Sequence, residues 1–129
     1  MTETPAGIMH ALHRRRWRHK RILRAIYEDW ARQLNQARST MPGLTLEVGG
    51  GIGSVKSFLP DICSSDIAFC PWLDITLDAT RLPFRDSSLS NIIGIDALHH
   101  LPDPVAFLQE AQRCLKPSGR LLLIEPYLT

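Results

Sequence analysis

Leu44-Thr45-Leu46-Glu47-Val48-Gly49-Gly50-Gly51-Ile52-Gly53-Ser54 is the stretch that decides the fold. An apolar run of strand length meets clustered glycines, and a short helix over Ser54–Leu59 follows until Pro60 stops it. Glycines let the backbone bend sharply and let a ligand approach with no Cβ in the way. The helix start beyond them offers free N–H groups and a partial positive charge. The spacing separates two ligand classes. A dinucleotide fingerprint needs G-x-G-x-x-G/A. Counted from Gly49 its third position falls on Ser54, and counted from Gly51 it falls on Lys56. The pattern that fits without substitution is E-x-G-x-G-x-G, from Glu47 to Gly53.

Outward from this turn, strands and helices alternate. Strands are predicted over 44–48, 62–65, 74–77, 91–95 and 120–125. The second, third and fourth end at Asp66, Asp78 and Asp96. Asp103 caps a helix with Pro104 at its first position, running to about Leu115. Lys116-Pro117-Ser118-Gly119 then turns the chain into the fifth strand. Aliphatic runs without alternation suit a parallel sheet covered on both faces, so the expected class is α/β with an open, doubly wound, mostly parallel sheet. Ligands of such sheets bind beyond the carboxyl ends of the strands. Asp66 lies 17 positions after Gly49, near where an acid would grip ribose hydroxyls, and a role as a helix cap or turn former stays open beside that. Only eleven residues separate Asp66 from Asp78. That is room for an irregular loop and not for a crossover helix, unless a strand is misplaced. Within it, Phe69 and Trp72 either pack in the core, which is favoured, or cover a ligand.

The N-terminal part differs in charge. Residues 1–38 carry nine Lys/Arg against three acids, and residues 39–129 carry six against ten. Residues 1–9 are expected to be weakly ordered. One helix is predicted from about 10 to 37, with Leu23, Ile26, Tyr27, Trp30 and Leu34 as its apolar stripe. Arg14, Arg15, Arg16, Arg18, Lys20, Arg21 and Arg24 crowd its first half, and Met41-Pro42-Gly43 breaks the chain before the first strand. The division expected is a basic cap over 1–43 and a ligand-binding domain over 44–129. The basic helix admits three readings: a solvated cap over the pocket, which is favoured; peripheral contact with an anionic membrane; and nucleic-acid contact, which no recognition motif supports. No apolar run reaches membrane-spanning length, and His10 to Lys20 is too basic for a secretory leader, so a cytoplasmic protein is expected. Cys63, Cys70 and Cys114 have neither metal-ligand spacing nor an even count, so no metal site is expected.

Together, E-x-G-x-G-x-G and the stretch DATRLPFRDSSLSNIIGIDALHHLPDP, residues 78–104, resemble class I S-adenosylmethionine-dependent methyltransferases of type 11. The resemblance runs from about Leu44 to the last residue. It implies a Rossmann-like sheet in the order 3-2-1-4-5 and S-adenosylmethionine as cofactor. It implies that Gly49, Gly51 and Gly53 pass under the methionine part, with Glu47 positioning the ammonium group. It also implies that Asp78 or its neighbour Ala79 meets the adenine amine. The loop Asp96-Ala97-Leu98-His99-His100 would face the methyl group and the substrate. His99 or His100 could serve as a base for an oxygen or nitrogen nucleophile, or the pair could shape the cofactor loop, which is favoured. Asp96 either orients substrate or caps the loop. Family members have seven strands in the order 3-2-1-4-5-7-6, so a C-terminally truncated chain is expected, lacking the last two. The fifth strand would then be an open edge inviting self-association. The expected activity is methyl transfer to a small-molecule or lipid-linked acceptor. The alternatives are a non-catalytic cofactor-binding fragment and, disfavoured by the glycine spacing, a nicotinamide-dependent oxidoreductase.

Overall fold

The computed structural model describes residues 4–126. Five strands form one sheet in the order β3-β2-β1-β4-β5. They are β1 (Leu44–Glu47), β2 (Cys63–Asp66), β3 (Ile75–Thr76), β4 (Leu89–Ile95) and β5 (Leu115–Ile124). Every pairing is parallel, so the expected Rossmann-like order is the observed one. Two helices precede β1, namely α1 (Pro5–Trp17) and α2 (Arg21–Ala37). Helix α3 (Ser54–Phe58) follows the glycine turn, and α4 (Pro104–Cys114) leads into β5.

Apolar helix faces close both sides of the sheet. β4 is buried along its whole length, and its successive residues point to opposite faces. Ile92 packs with Leu46, Val48 and Leu89 against Phe107, Ala111 and Cys114. Ile93 and Ile95 pack with Val55, Leu59 and Ile62 against Ala31 and Leu34 of α2. Phe107 is fully buried, and burying such a side chain contributes about 2–3 kcal/mol. Asp103 caps α4 by accepting from Ala106 N, as the Asp-Pro pair predicts.

The N-terminal expectation needs correction. One helix from about 10 to 37 is in fact two. Residues 4–9, expected to be weakly ordered, begin α1, while residues 1–3 lie outside the described residues. The start signal was present: Thr4 accepts from Gly7 N, and Pro5 opens the helix. The break at residues 18–20 is closed by turn-type bonds from His19 N to Arg16 O and from Lys20 N to Trp17 O. Two causes act there. Arg14 and Arg18, and likewise Arg16 and Lys20, are like charges four apart, which disfavours a continuous helix. Trp17 is also buried edge-on against Tyr27 and Phe58, and that packing folds α1 back across the sheet's carboxyl end.

The connection from β2 to β3 is an irregular loop, and no strand is misplaced. Ser65 pairs with Ile75 and Asp66 with Thr76 after a loop without a helix. In β5 the predicted turn at Lys116–Gly119 is a bulge within the strand. Pairing with β4 jumps from Leu115 opposite Leu89 to Arg120 opposite Asn91. No helix among the described residues is long and apolar enough to cross a membrane.

Candidate functional site

The glycine turn sits where β1 ends, and its neighbours dictate its composition. Gly49, Gly51 and Gly53 all have left-handed φ, at 66°, 51° and 80°. Gly50 is required for another reason. A Cβ there would lie 2.4 Å from Ser64 Oγ and 2.9 Å from Glu47 Oε1. Above Gly51 the space is open, with His10 Nε2 the nearest atom at 3.9 Å.

Two cavities meet over this turn and share Gly49, Gly51, His10 and His100. The first, about 530 Å³, is lined by Glu47, Ser54, Tyr27 and residues of α1. The second, about 450 Å³, runs past Asp66, Leu77, Asp78, Ala79, Asp96 and Ala97. Of the sequence-predicted site residues, Glu47, Gly49, Gly51, Asp66, Asp78, Ala79, Asp96 and His100 therefore line these two adjacent cavities. Gly53 and His99 line neither cavity. Gly53 is the N-cap position of α3, packed under Arg14 and Trp72.

Glu47 is the most unusual group. It is 2% exposed, accepts from Ser64 Oγ, and has no cation within ion-pair distance among the described residues. Burial pushes its carboxyl up to about 7; the Ser64 hydrogen bond and the more distant positive charge of Lys56 oppose that, and the negative charges of Asp66 and Asp74 add to it. Ser54, which lines the same cavity, has a buried Oγ without a hydrogen-bond partner among the described residues. A buried acid without a cation and a buried hydroxyl without a partner are complementary to an amino acid's ammonium and carboxylate groups. The joined volume is within the range of small-molecule sites. These residues fit an adenosyl amino acid.

The carboxylates on the second cavity differ in their engagements. Asp66 accepts from Gly51 N and from Ala68 N, both at 3.0 Å. It is thus both the turn former left open by the sequence and an acid on the cavity wall. Asp78 is exposed and accepts from Thr80 N and Thr80 Oγ1; these bonds hold its carboxyl below the usual carboxylate range. Asp96 has a left-handed φ of 53°, which Asp tolerates better than most residues. After it, Leu98–His100 form a single 3-10 turn. The His99 and His100 rings lie side by side with centroids 4.0 Å apart, tilted by 41°.

Several contributors escaped the sequence reading. Glu125, just past β5, accepts from Leu98 N and meets His99 Nδ1 at 2.7 Å. Burial opposes its ionisation, but the bonds from His99 and Leu98 outweigh this and lower its carboxyl. The strand-end rule that located Asp66, Asp78 and Asp96 would also have located Glu125. Helix α1 lies over the turn through three contacts: Arg14 Nη1 donates to Ile52 O at 2.7 Å, Arg14 sits over the Trp72 ring, and His10 Nδ1 meets Cys70 Sγ at 3.4 Å. Trp72 Nε1 donates to Gly51 O at 2.7 Å, so Trp72 braces the turn. Tyr27 of α2 is held above its usual phenol range by burial and by the charges of Asp96 and Glu47, which places its hydroxyl in the field of both acids.

Known proteins carry the same architecture. The family model described as "Methyltransferase domain" matches residues 46–123. The chain is 41% identical over 46 residues to 27-O-demethylrifamycin SV methyltransferase of Amycolatopsis mediterranei, covering 36% of this chain and 17% of that protein. It is 34% identical over 92 residues to a probable phthiotriol/phenolphthiotriol dimycocerosates methyltransferase of Mycobacterium ulcerans, covering 57% of this chain and 36% of that one. The chain thus spans about a third or less of the length of these two curated relatives. Among solved structures, a putative S-adenosyl-L-methionine-dependent methyltransferase of Methanococcus maripaludis superposes with a TM-score of 0.69 at 16% identity, over 95% of this chain and 66% of that one. The [4+2]-cyclase SpnF superposes at 0.62 with 19% identity, over 74% and 44%. These two likenesses show the fold, and a fold hosts more than one chemistry. The family model spans more than half of the chain, and the chain belongs to the class I S-adenosylmethionine-dependent methyltransferases, within the type 11 methyltransferase domain family.

Proposed function

We propose that this chain binds S-adenosylmethionine across the two joined cavities, and that the protein transfers its methyl group to a small-molecule or lipid-linked acceptor. The observation that carries this reading is Glu47, a buried carboxyl on a cavity wall with no cation within ion-pair distance among the described residues. A bound ammonium group supplies the missing cation. Ser54 Oγ donates to the neighbouring carboxylate, and Gly49 and Gly51 keep the floor free of side chains. Asp66 has lone pairs beyond those bound to Gly51 and Ala68, and these accept from ribose hydroxyls. Asp78 and the backbone at Ala79 meet the adenine amine.

S-adenosylmethionine, when bound, supplies a methyl group activated by its sulfonium. The protein's share is to align the acceptor and move a proton. His100 lines both cavities and is the group placed to take a proton from an oxygen or nitrogen acceptor. His99, tied to Glu125, packs against it and fixes the loop. Asp96 orients the acceptor from the end of β4. Residues 1–43 act as a cap on the domain formed by 44–129. Peripheral membrane contact and self-association along the outer edge of β5 belong to the same reading; vesicle binding and sedimentation test them.

Calorimetric titration with S-adenosylmethionine and S-adenosylhomocysteine tests the proposal. Both are expected to bind. Binding of NADH with neither adenosyl ligand would overturn it.

A further inference from the structure

The turn between α1 and α2 combines two features that do not belong together on an inert surface. Ile22 is 80% exposed and Ile26 39% exposed. They lie one helical turn apart, on one face of α2. With Leu23, His19, Lys20 and Arg21 they line a shallow surface groove. Around it, the sequence from His10 to Tyr27 holds seven Lys/Arg and no acid. Arg15, Arg16, Arg18, Lys20, Arg21 and Arg24 are exposed, and none is ion-paired among the described residues. An exposed aliphatic pair beside Lys20 and Arg21, on a segment rich in further exposed cations, matches an anionic lipid surface, where the aliphatic side chains enter the acyl boundary and the cations meet headgroups.

The groove also leads to the candidate site. Lys20 and Leu23 line both the groove and the first cavity. We infer that the α1–α2 turn docks on an anionic bilayer and delivers a lipid-linked acceptor from it to the first cavity. Delivery rests on the methyltransferase reading, and docking does not. Nucleic acid is a poorer match. Phosphates would use the cations and leave Ile22 and Ile26 without a role, and of the two aromatic residues in this run Trp17 is buried and Tyr27 packs edge-on against Trp17 and Trp30, so neither is offered for base stacking.

The test is flotation of the full chain with phosphatidylglycerol–phosphatidylcholine vesicles and with phosphatidylcholine vesicles alone. S-adenosylhomocysteine titration and a thermal melt run on the same samples. Arg21→Glu and Ile22→Asp change exposed residues outside both cavities. The chain is expected to float with the anionic vesicles only, and added salt is expected to weaken this. Arg21→Glu should weaken binding at least about fivefold, and Ile22→Asp about tenfold or more. S-adenosylhomocysteine affinity and melting should be unchanged in both. Absence of vesicle binding in a chain that binds S-adenosylhomocysteine overturns the inference and leaves the methyltransferase reading standing. Vesicle binding without S-adenosylhomocysteine binding does the reverse. Vesicle binding unaffected by Ile22→Asp would overturn docking by this face. So would binding to a DNA duplex that only Arg21→Glu abolishes, which would assign the cations to nucleic acid.

Discussion

Asp66 Oδ2 accepts the backbone N–H of Gly51 at 3.0 Å, so the last residue of β2 holds the turn that follows β1. The cavity wall and the cavity floor are thereby one hydrogen-bonded unit.

This bond couples ligand affinity to stability at Asp66. Asp66→Ala is expected to weaken S-adenosylhomocysteine binding about tenfold or more and to lower the unfolding free energy by about 1–3 kcal/mol, since it leaves two backbone donors unpaired. Calorimetric titration and urea melts measure the two effects separately. Unchanged affinity beside reduced stability would leave Asp66 a turn former only.

Glu47 makes stability fall with rising pH, contrary to the usual carboxylate. Its folded pKa is raised from 4.5 to about 7, so between those values the folded state holds a proton that the unfolded state has released. The stabilisation is full below the unfolded pKa and is lost as pH rises through about 7, on the order of 3 kcal/mol in all. Glu47→Gln should abolish that slope and be more stable than the natural chain at pH 8. Binding of an ammonium group favours the ionised carboxylate, so S-adenosylhomocysteine should bind more weakly as pH falls below about 7, with proton release detectable in buffers of different ionisation enthalpy. A flat stability profile between pH 5 and 8 would contradict this assignment.

Gly50→Ala and Gly51→Ala should separate packing from ligand approach. The first drives a methyl into Ser64 and Glu47 and is expected to cost about 1–3 kcal/mol of stability. The second meets open space, costs about 1 kcal/mol for its left-handed backbone, and should show its main effect as lost S-adenosylhomocysteine affinity. Equal stability losses in urea melts would show that the space above Gly51 is not what distinguishes the two positions.

Ser54→Ala removes a buried hydroxyl that has no partner among the described residues. Stability should be unchanged or rise by about 1 kcal/mol, while S-adenosylhomocysteine affinity falls about fivefold or more. A rise in stability with no loss of affinity would mean that the hydroxyl serves no ligand.

The features legible in the amino-acid order alone are local. Period, capping and turn chemistry act over a few residues, so the strand–turn–helix at 44–58, the Asp103-Pro104 helix start and the strand-end acids Asp66, Asp78 and Asp96 were legible. The strand order came from resemblance rather than from spacing. Tertiary structure decided whatever depends on residues far apart in the chain. The like charges four apart at Arg14–Arg18 and Arg16–Lys20 were visible in the sequence, but the other cause of the division between α1 and α2, the packing of Trp17 against Tyr27 and Phe58, leaves no trace in the periodicity. Gly50 is obligatory because Ser64 of the neighbouring strand β2 lies against it, and Glu47 is abnormal because burial removes it from water with no cation at ion-pair distance among the described residues. His99 and Glu125 meet across 26 residues, which separated two histidines that looked equivalent in sequence: one bound at the end of β5, the other facing the cavity.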